Sequence, residues 1–268
     1  MDYEITSLQG SAKEIIDRIL TATRSQVLIP PKLQGHDLQI PKPPDDGLYI
    51  GLFSSGSTDH PKCIWNSLER LQLNARNSAD AFEIQPHHFL LMMAAPWHVA
   101  GFTWLLMAEY LECEYLFITT IKGDHKLWLQ TVQDLNADYL LTVPQVLRTL
   151  YDEHWFADTV VFGGDPIQAG EFEKLSPHCR WMIQGYGQTE AGGLIAAHKR
   201  KSSLIPAKYE HHCMGRSIAG VNVRCEGEPE KQSPIYIRSE SAYTDQEYRS
   251  GDLGFMDPSG RIYVTGRE

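Results

Sequence analysis

The chain has 268 residues, 42% hydrophobic and 10% aromatic, which is enough to bury a substantial core in one large domain or in a domain with a smaller companion. Its 34 acidic and 24 basic residues leave a formal net charge of -10, so there is no electrostatic footprint for nucleic acid or for an anionic membrane. The most apolar stretch, Phe89–Leu111, is interrupted by Pro96, His98, Gly101 and Glu109, and no basic-then-apolar leader is visible, which argues against a membrane span or signal peptide.

In chain order, Ser11–Arg24 places Ile15, Ile16, Ile19 and Leu20 at helical spacing behind a capping serine and predicts a surface helix. The stretch Ile29–Asp46, with five prolines, reads as a crossing segment. From Leu48 the pattern alternates between strand-like and helix-like runs. Strands are predicted at Leu48–Phe53, Phe89–Ala94, Tyr115–Thr119, Tyr139–Thr142, Thr159–Phe162 and Trp181–Gln184. The helices between them are Ser67–Phe82, Phe102–Leu111, Lys126–Leu135, Pro144–Asp152 and Glu171–Leu175. That rhythm predicts layered, parallel α/β structure. After about Leu204 the chain becomes short-stranded and turn-rich, with strands at Val221–Cys225, Pro234–Arg238 and Arg261–Thr265. The expected division is therefore an α/β nucleotide- and acyl-binding region over 1–204 and a small β-rich subdomain over 205–268.

Five cysteines, Cys63, Cys113, Cys179, Cys213 and Cys225, are odd in number and widely spaced, a pattern that fits a reducing cytoplasm rather than a disulfide framework. His211-His212-Cys213 lacks the second ligand pair of a zinc site.

Three segments carry chemistry. Ser54-Ser55-Gly56-Ser57-Thr58-Asp59-His60-Pro61-Lys62 follows a buried strand. Small hydroxylated residues around a glycine let N–H and O–H groups converge on a phosphate, and Lys62 adds a point charge. It is not a Walker A loop, and alone it is equally a polar turn. Gln184-Gly185-Tyr186-Gly187-Gln188-Thr189-Glu190 follows another strand, the usual position for ligands in open α/β sheets. An aromatic between glycines can lie against a base, and Thr189 and Glu190 suit a phosphate and Mg²⁺; alone it is equally a tight turn with a buried tyrosine. In Arg249-Ser250-Gly251-Asp252-Leu253-Gly254, followed by Gly266-Arg267, Asp252 can accept from ribose hydroxyls.

Together and in this order these segments resemble the adenylate-forming superfamily of acyl-CoA synthetases, luciferases and peptide-synthetase adenylation domains. Pro96-Trp97-His98-Val99-Ala100-Gly101 is similar to the family's acyl-pocket motif, and Gly163-Gly164-Asp165 to its loop beside the adenine. The resemblance runs from about residue 48 to the end and implies the large-domain fold of those enzymes. It further implies that Ser54, Ser55, Gly56, Ser57, Thr58 and Lys62 contact the ATP phosphates. Tyr186 and Gly164, with Gly187 and Asp165 beside them, would flank the adenine. Thr189 would hold the α-phosphate, Glu190 the Mg²⁺, and Asp252 and Arg267 the ribose, while His98 and Gly185 would line the acyl pocket. The implied reaction joins a small carboxylic acid to AMP and then to CoA, and catalysis rests on positioning and charge neutralisation.

Asp59 and Cys63 stand where relatives usually have glycine, and Asp165 where a small residue is usual. Only some 50 residues precede the phosphate loop, and the family's lid would lie beyond Glu268, supplied in trans or by a longer chain. The run Leu140–Leu150 looks most like o-succinylbenzoate-CoA ligases of menaquinone biosynthesis. Two functions are expected to compete: an acid:CoA ligase acting on o-succinylbenzoate or another aromatic or short acid, and a non-catalytic nucleotide or acyl-adenylate binder of the same ancestry. Without its motif, His98 would read as an ordinary core histidine.

Overall fold

The computed structural model describes residues 3–9, 11–54, 61–118, 125–204, 210–227 and 230–268, without the side chains of 125–128. β1 (Tyr3–Ile5) leads to α1 (Ala12–Leu20). This helix starts where Ser11 Oγ accepts from the Glu14 N–H at 3.2 Å and the Glu14 carboxylate accepts from the Ser11 N–H at 2.7 Å, a reciprocal cap. It is shorter than the periodicity predicts, because Ser25 already belongs to β2 (Ser25–Val27). β3 (Tyr49–Phe53) and β4 (Cys63–Ser67) complete a four-stranded sheet in the order β1-β2-β3-β4, with β4 antiparallel and Phe53 opposite Cys63.

Beyond it come α2 (Leu68–Phe82), β5 (Leu90–Met93), α3 (Val99–Leu111), β6 (Tyr115–Phe117), α4 (His125–Asp134), β7 (Tyr139–Thr142), α5 (Pro144–Leu150), β8 (Ala157–Gly163), α6 (Ala169–Leu175) and β9 (Cys179–Gln188). β10 (Gly193–Lys201), β11 (Cys213–Ser217), β12 (Val221–Cys225), β13 (Ser233–Ser239), β14 (Tyr248–Met256) and β15 (Ile262–Arg267) follow. These strands form one sheet in the order β12-β13-β14-β15-β11-β10-β9-β8-β7-β5-β6. It is parallel from β9 to β6 and antiparallel from β9 to β12.

The parallel strands read as continuous apolar runs because both of their faces are covered. Leu90, Met92, Leu141, Val161 and Ile183 join one core with α1, α2 and α3, while Leu91, Met93, Leu140, Val160, Phe162 and Met182 join the opposite core with α5 and α6. Phe102 of α3 is fully buried in the first core, and its truncation to alanine would cost about 3–5 kcal/mol. A third core under the antiparallel strands includes Tyr186, Ile195, Val223, Ile235, Ile237 and Ile262. The expected boundary at residue 204 falls between β10 and β11, whose paired residues are Ala196 with Ser217 and Ala197 with Arg216. Among the described residues no helix is long and apolar enough to cross a membrane.

Candidate functional site

In sequence the Ser/Thr/Gly-rich segment falls between β3 and β4. The Ser54 N–H donates to the Lys62 carbonyl at 2.9 Å, which continues the pairing of the two strands by one step. Ser54 is half-buried and Lys62 exposed, while Ser55, Gly56, Ser57 and Thr58 lie outside the described residues, as does Asp59. At the far end of β4, fully buried Asn66 donates from Nδ2 to the Thr189 carbonyl at 3.1 Å, which ties the loop-bearing strand to the second motif.

That motif does not lie beyond its strand. β9 extends through Gln188, so Gly185, Tyr186 and Gly187 are strand residues paired with β10. The glycines permit close backbone approach. A Cβ on Gly187 would stand 2.6 Å from the Gly193 carbonyl oxygen, and one on Gly163 would stand 2.4 Å from that of Gly185. Thr189 and Glu190 form the turn into β10, held by the Gly192 N–H donating to the Thr189 carbonyl at 3.1 Å and the Tyr243 N–H donating to that of Glu190 at 3.0 Å.

The second and third motifs converge on one carboxylate. Asp252, only 6% exposed, accepts at Oδ2 from the Tyr186 hydroxyl at 2.7 Å and from Gln188 Nε2 at 2.6 Å, and at Oδ1 from Arg267 Nε at 2.9 Å. The Tyr186 ring is packed in the third core, and burial followed by the neighbouring Asp252 charge raises its hydroxyl pKa well above the ordinary value, so it stays a donor. Gln188 also donates to the Ser250 carbonyl at 3.1 Å. Arg267 projects into solvent.

His98 occupies the N-cap position of α3 without capping it through its side chain. Burial first, and Lys32 second, lower its pKa, so it is neutral near pH 7. One turn into α3, Gly101 lies against the chain before the helix, where a Cβ would meet the Ala95 carbonyl oxygen at 2.3 Å. α3 borders the start of β10, since Thr103 Cγ2 lies 3.3 Å from the Cβ position of Gly193. A Cβ on Gly185 would lie 3.1 Å from Leu194 Cδ1, on that same stretch of chain. Gly164 adopts a left-handed conformation, with φ 93°, and is exposed together with Asp165 at the end of β8.

Glu190 makes no ion pair or hydrogen bond through its carboxylate to any described residue, and hard carboxylate oxygens suit Mg²⁺. One carboxylate supplies only part of a coordination shell, and among the described residues no three His, Cys, Asp or Glu side chains cluster as a metal site. A cavity of about 810 Å³ lies elsewhere, lined by Leu48, Tyr49, Ser67, Arg70, Tyr243 and Asp245 among others; none of the predicted site residues lines it. The motif reading names neither Gln188 nor the buried amides Asn66 and Asn74 as functional. Their partners lie 64, 123 and 120 residues away, and no local spacing signals them.

Comparison with known proteins bears on the family and the fold. The AMP-binding enzyme family matches residues 5–240. The N-benzoylphenylalaninol synthetase apmA of Penicillium brevicompactum is 21% identical over 96% of this chain and 12% of its own length. The 2-succinylbenzoate–CoA ligase of Enterococcus faecalis is 21% identical over 81% of this chain and 48% of its own. The structure of o-succinylbenzoate coenzyme A synthetase from Bacillus subtilis in complex with AMP superposes with a TM-score of 0.70 at 18% identity, over 82% of this chain and 49% of that one. The chain therefore spans at most about half the length of these proteins. The layered α/β fold is that of the adenylate-forming large domain, and the chain belongs to the AMP-binding enzyme family.

Proposed function

We propose that this chain binds ATP and a small carboxylic acid and joins them as an acyl-adenylate, the first half of an acid:CoA ligase reaction. The observation that carries the reading is the convergence of Tyr186, Gln188 and Arg267 on Asp252, beside a Thr189-Glu190 turn tied through Asn66 to the phosphate-loop strand. Segments far apart in sequence are thereby joined through one carboxylate.

In this reading Asp252 and Arg267 orient the ribose, and Tyr186, Gly187, Gly164 and Asp165 border the adenine. Ser54, Ser55, Gly56, Ser57, Thr58 and Lys62 gather the phosphates, and Thr189 holds the α-phosphate. Glu190 holds Mg²⁺, which when bound neutralises phosphate charge. His98 and Gly185 border the acid. Neutral His98 adds no charge to a pocket that receives a carboxylate, so the acid is oriented by contact and hydrogen bonding. The substrate carboxylate oxygen attacks the α-phosphorus in line and pyrophosphate leaves, a step that needs positioning more than proton transfer. The succinylbenzoate ligases among the relatives make o-succinylbenzoate the first acid to try, and a long-chain fatty acid ligase among them makes a fatty acid the necessary comparison. Transfer to CoA then requires the family's lid, in cis or in trans.

A second reading, adenylate binding without turnover, is favoured by Asp59, which sets a negative charge in the phosphate segment where relatives usually have glycine.

Thermal unfolding with ATP-Mg²⁺, AMP and non-hydrolysable acyl-AMP mimics tests both readings. A ligand at a hundred times its dissociation constant stabilises the fold by about 2.7 kcal/mol. A mimic that outperforms AMP supports the ligase reading, and single-turnover acyl-AMP formation from the same acid then separates catalysis from binding. A flat response to every nucleotide from folded protein defeats both.

A further inference from the structure

We infer that Gln188 is an internal stand-in for a ribose hydroxyl, occupying the lone pair on Asp252 that a nucleoside diol requires and so setting nucleotide affinity; this rests on the adenylate reading above. A carboxylate offers about four acceptor positions, two on each oxygen. In Asp252, Oδ2 has both taken, by the Tyr186 hydroxyl at 2.7 Å and Gln188 Nε2 at 2.6 Å, and Oδ1 has one taken, by Arg267 Nε at 2.9 Å. A vicinal diol that binds a carboxylate in bidentate fashion places one hydroxyl on each oxygen. Oδ1 can receive one as it stands, but Oδ2 cannot until one of its two donors leaves. Departure of Arg267 would not help, because it frees only Oδ1.

The choice falls between Tyr186 and Gln188. Tyr186 belongs to the third core, together with Ala191, Ile195 and Ile235, and is 8% exposed, so moving its hydroxyl would disturb that core. Gln188 is only half-buried, and its amide already has a second acceptor in the Ser250 carbonyl at 3.1 Å. It can surrender Asp252 and remain hydrogen-bonded. The ribose site is thus held in a self-satisfied state that prevents a buried, unpaired carboxylate in the free protein, and binding must displace that contact.

The test is calorimetric affinity of the full chain and its Gln188→Met and Gln188→Ala variants for AMP and for 2′,3′-dideoxy-AMP, with thermal unfolding to confirm that each is folded. Removing one charge-assisted competitor while Ser250 compensates in part predicts AMP binding about three- to tenfold tighter in the variants, with dideoxy-AMP unchanged. General loosening of the site would alter both ligands together and would overturn the inference. So would variants that bind AMP no more tightly than the parent protein while the parent still prefers AMP to dideoxy-AMP, an outcome that leaves the adenylate reading standing. If the parent binds neither ligand, both fall together.

Discussion

Asn74 offers the sharpest test of how the candidate site is held. It lies on α2, is fully buried, and makes four hydrogen bonds. Its Oδ1 accepts from the Leu194 N–H at 2.9 Å and from Ser78 Oγ at 3.2 Å; its Nδ2 donates to the Leu194 carbonyl at 2.9 Å and to Ser241 Oγ at 3.1 Å. Replacing Asn74 by alanine strips the Leu194 N–H and C=O of these partners at the bulged start of β10. Ser241 keeps Ser239 and the Ala191 carbonyl. Two half-buried backbone groups deprived of these partners cost about 1–3 kcal/mol each, and alanine recovers roughly 0.5 kcal/mol in helix propensity. The net loss is about 2–5 kcal/mol, which at about 2–4 °C per kcal/mol lowers Tm by roughly 4–20 °C in a chain of this size. Asn74→Asp should be no better, because its second oxygen would face the Leu194 carbonyl. Calorimetric unfolding reads the change directly. A Tm drop below about 2 °C for the alanine variant would refute the claim that this amide anchors β10, since among the described residues no other side chain hydrogen-bonds the Leu194 groups.

Three further outcomes follow from the same geometry. Gly187→Ala puts a Cβ 2.6 Å from the Gly193 carbonyl oxygen, which is backbone and cannot swing aside; a loss of about 1–3 kcal/mol in denaturant unfolding is expected, and an unchanged midpoint would show that β9 and β10 are looser than described. Glu190→Gln should leave Tm within about 1–2 °C, because the carboxylate holds no described partner, yet abolish any Mg²⁺-dependent gain in ATP affinity; equal Mg²⁺ dependence in both proteins would remove Glu190 as the metal ligand. Histidine titration sets the acid limit. Burial and Arg200 push the His198 pKa below its ordinary 6.5, and His88, His98 and His211 are shifted the same way. In the window just below 6.5 the unfolded chain therefore binds more protons than the folded one, so stability is held above that pH and lost as pH falls. His198 Nδ1 lies 2.9 Å from Arg200 Nη2, which can only donate, and 3.3 Å from the Cys213 carbonyl, which can only accept, so in the neutral ring it accepts from Arg200 at the expense of the Cys213 contact. Gln at position 198 can still accept, so His198→Gln should narrow the stability difference between pH 7.5 and 5.5; an undiminished difference would move the effect to the other histidines.

The parallel α/β half was legible in the sequence because its signals are local. β5, β7 and β8 are apolar runs long enough to be covered on both faces, and α2 and α3 end where their apolar periodicity does. β1, β2, β4, β10, β11 and β14 were not predicted, and in β14 glycine is the main reason. Gly251 and Gly254 fit a turn as readily as a strand, yet both lie in β14. Gly254 is needed there because the Tyr263 carbonyl oxygen lies 2.0 Å from where its Cβ would be, and the pairing with β15 is bulged between Leu253 and Gly254. Gly185 and Gly187 mislead in the same way in β9, where their small size serves interstrand contact rather than chain reversal. Composition cannot distinguish a glycine that turns the chain from one that admits a neighbouring backbone, because the neighbour is supplied by a distant segment.

The same limit applies to the site. The resemblance proposes nucleotide-contacting residues because they sit in short ordered motifs, but it offers no sign of the residues that hold those motifs together. Asn66 and Asn74 each use a buried amide to join the β4–α2 unit to the Thr189–Leu194 segment, and Asn66 Oδ1 has no partner among the described residues. A buried amide left partly unsatisfied costs stability, and what Asn66 supplies in return is the bond from its Nδ2 to the Thr189 carbonyl. The arrangement follows physically from the reaction proposed. A mechanism with little acid–base chemistry depends on keeping phosphate loop, turn and ribose carboxylate in register. Register between segments more than a hundred residues apart is fixed by buried, geometrically demanding hydrogen bonds, not by apolar contact, which tolerates sliding.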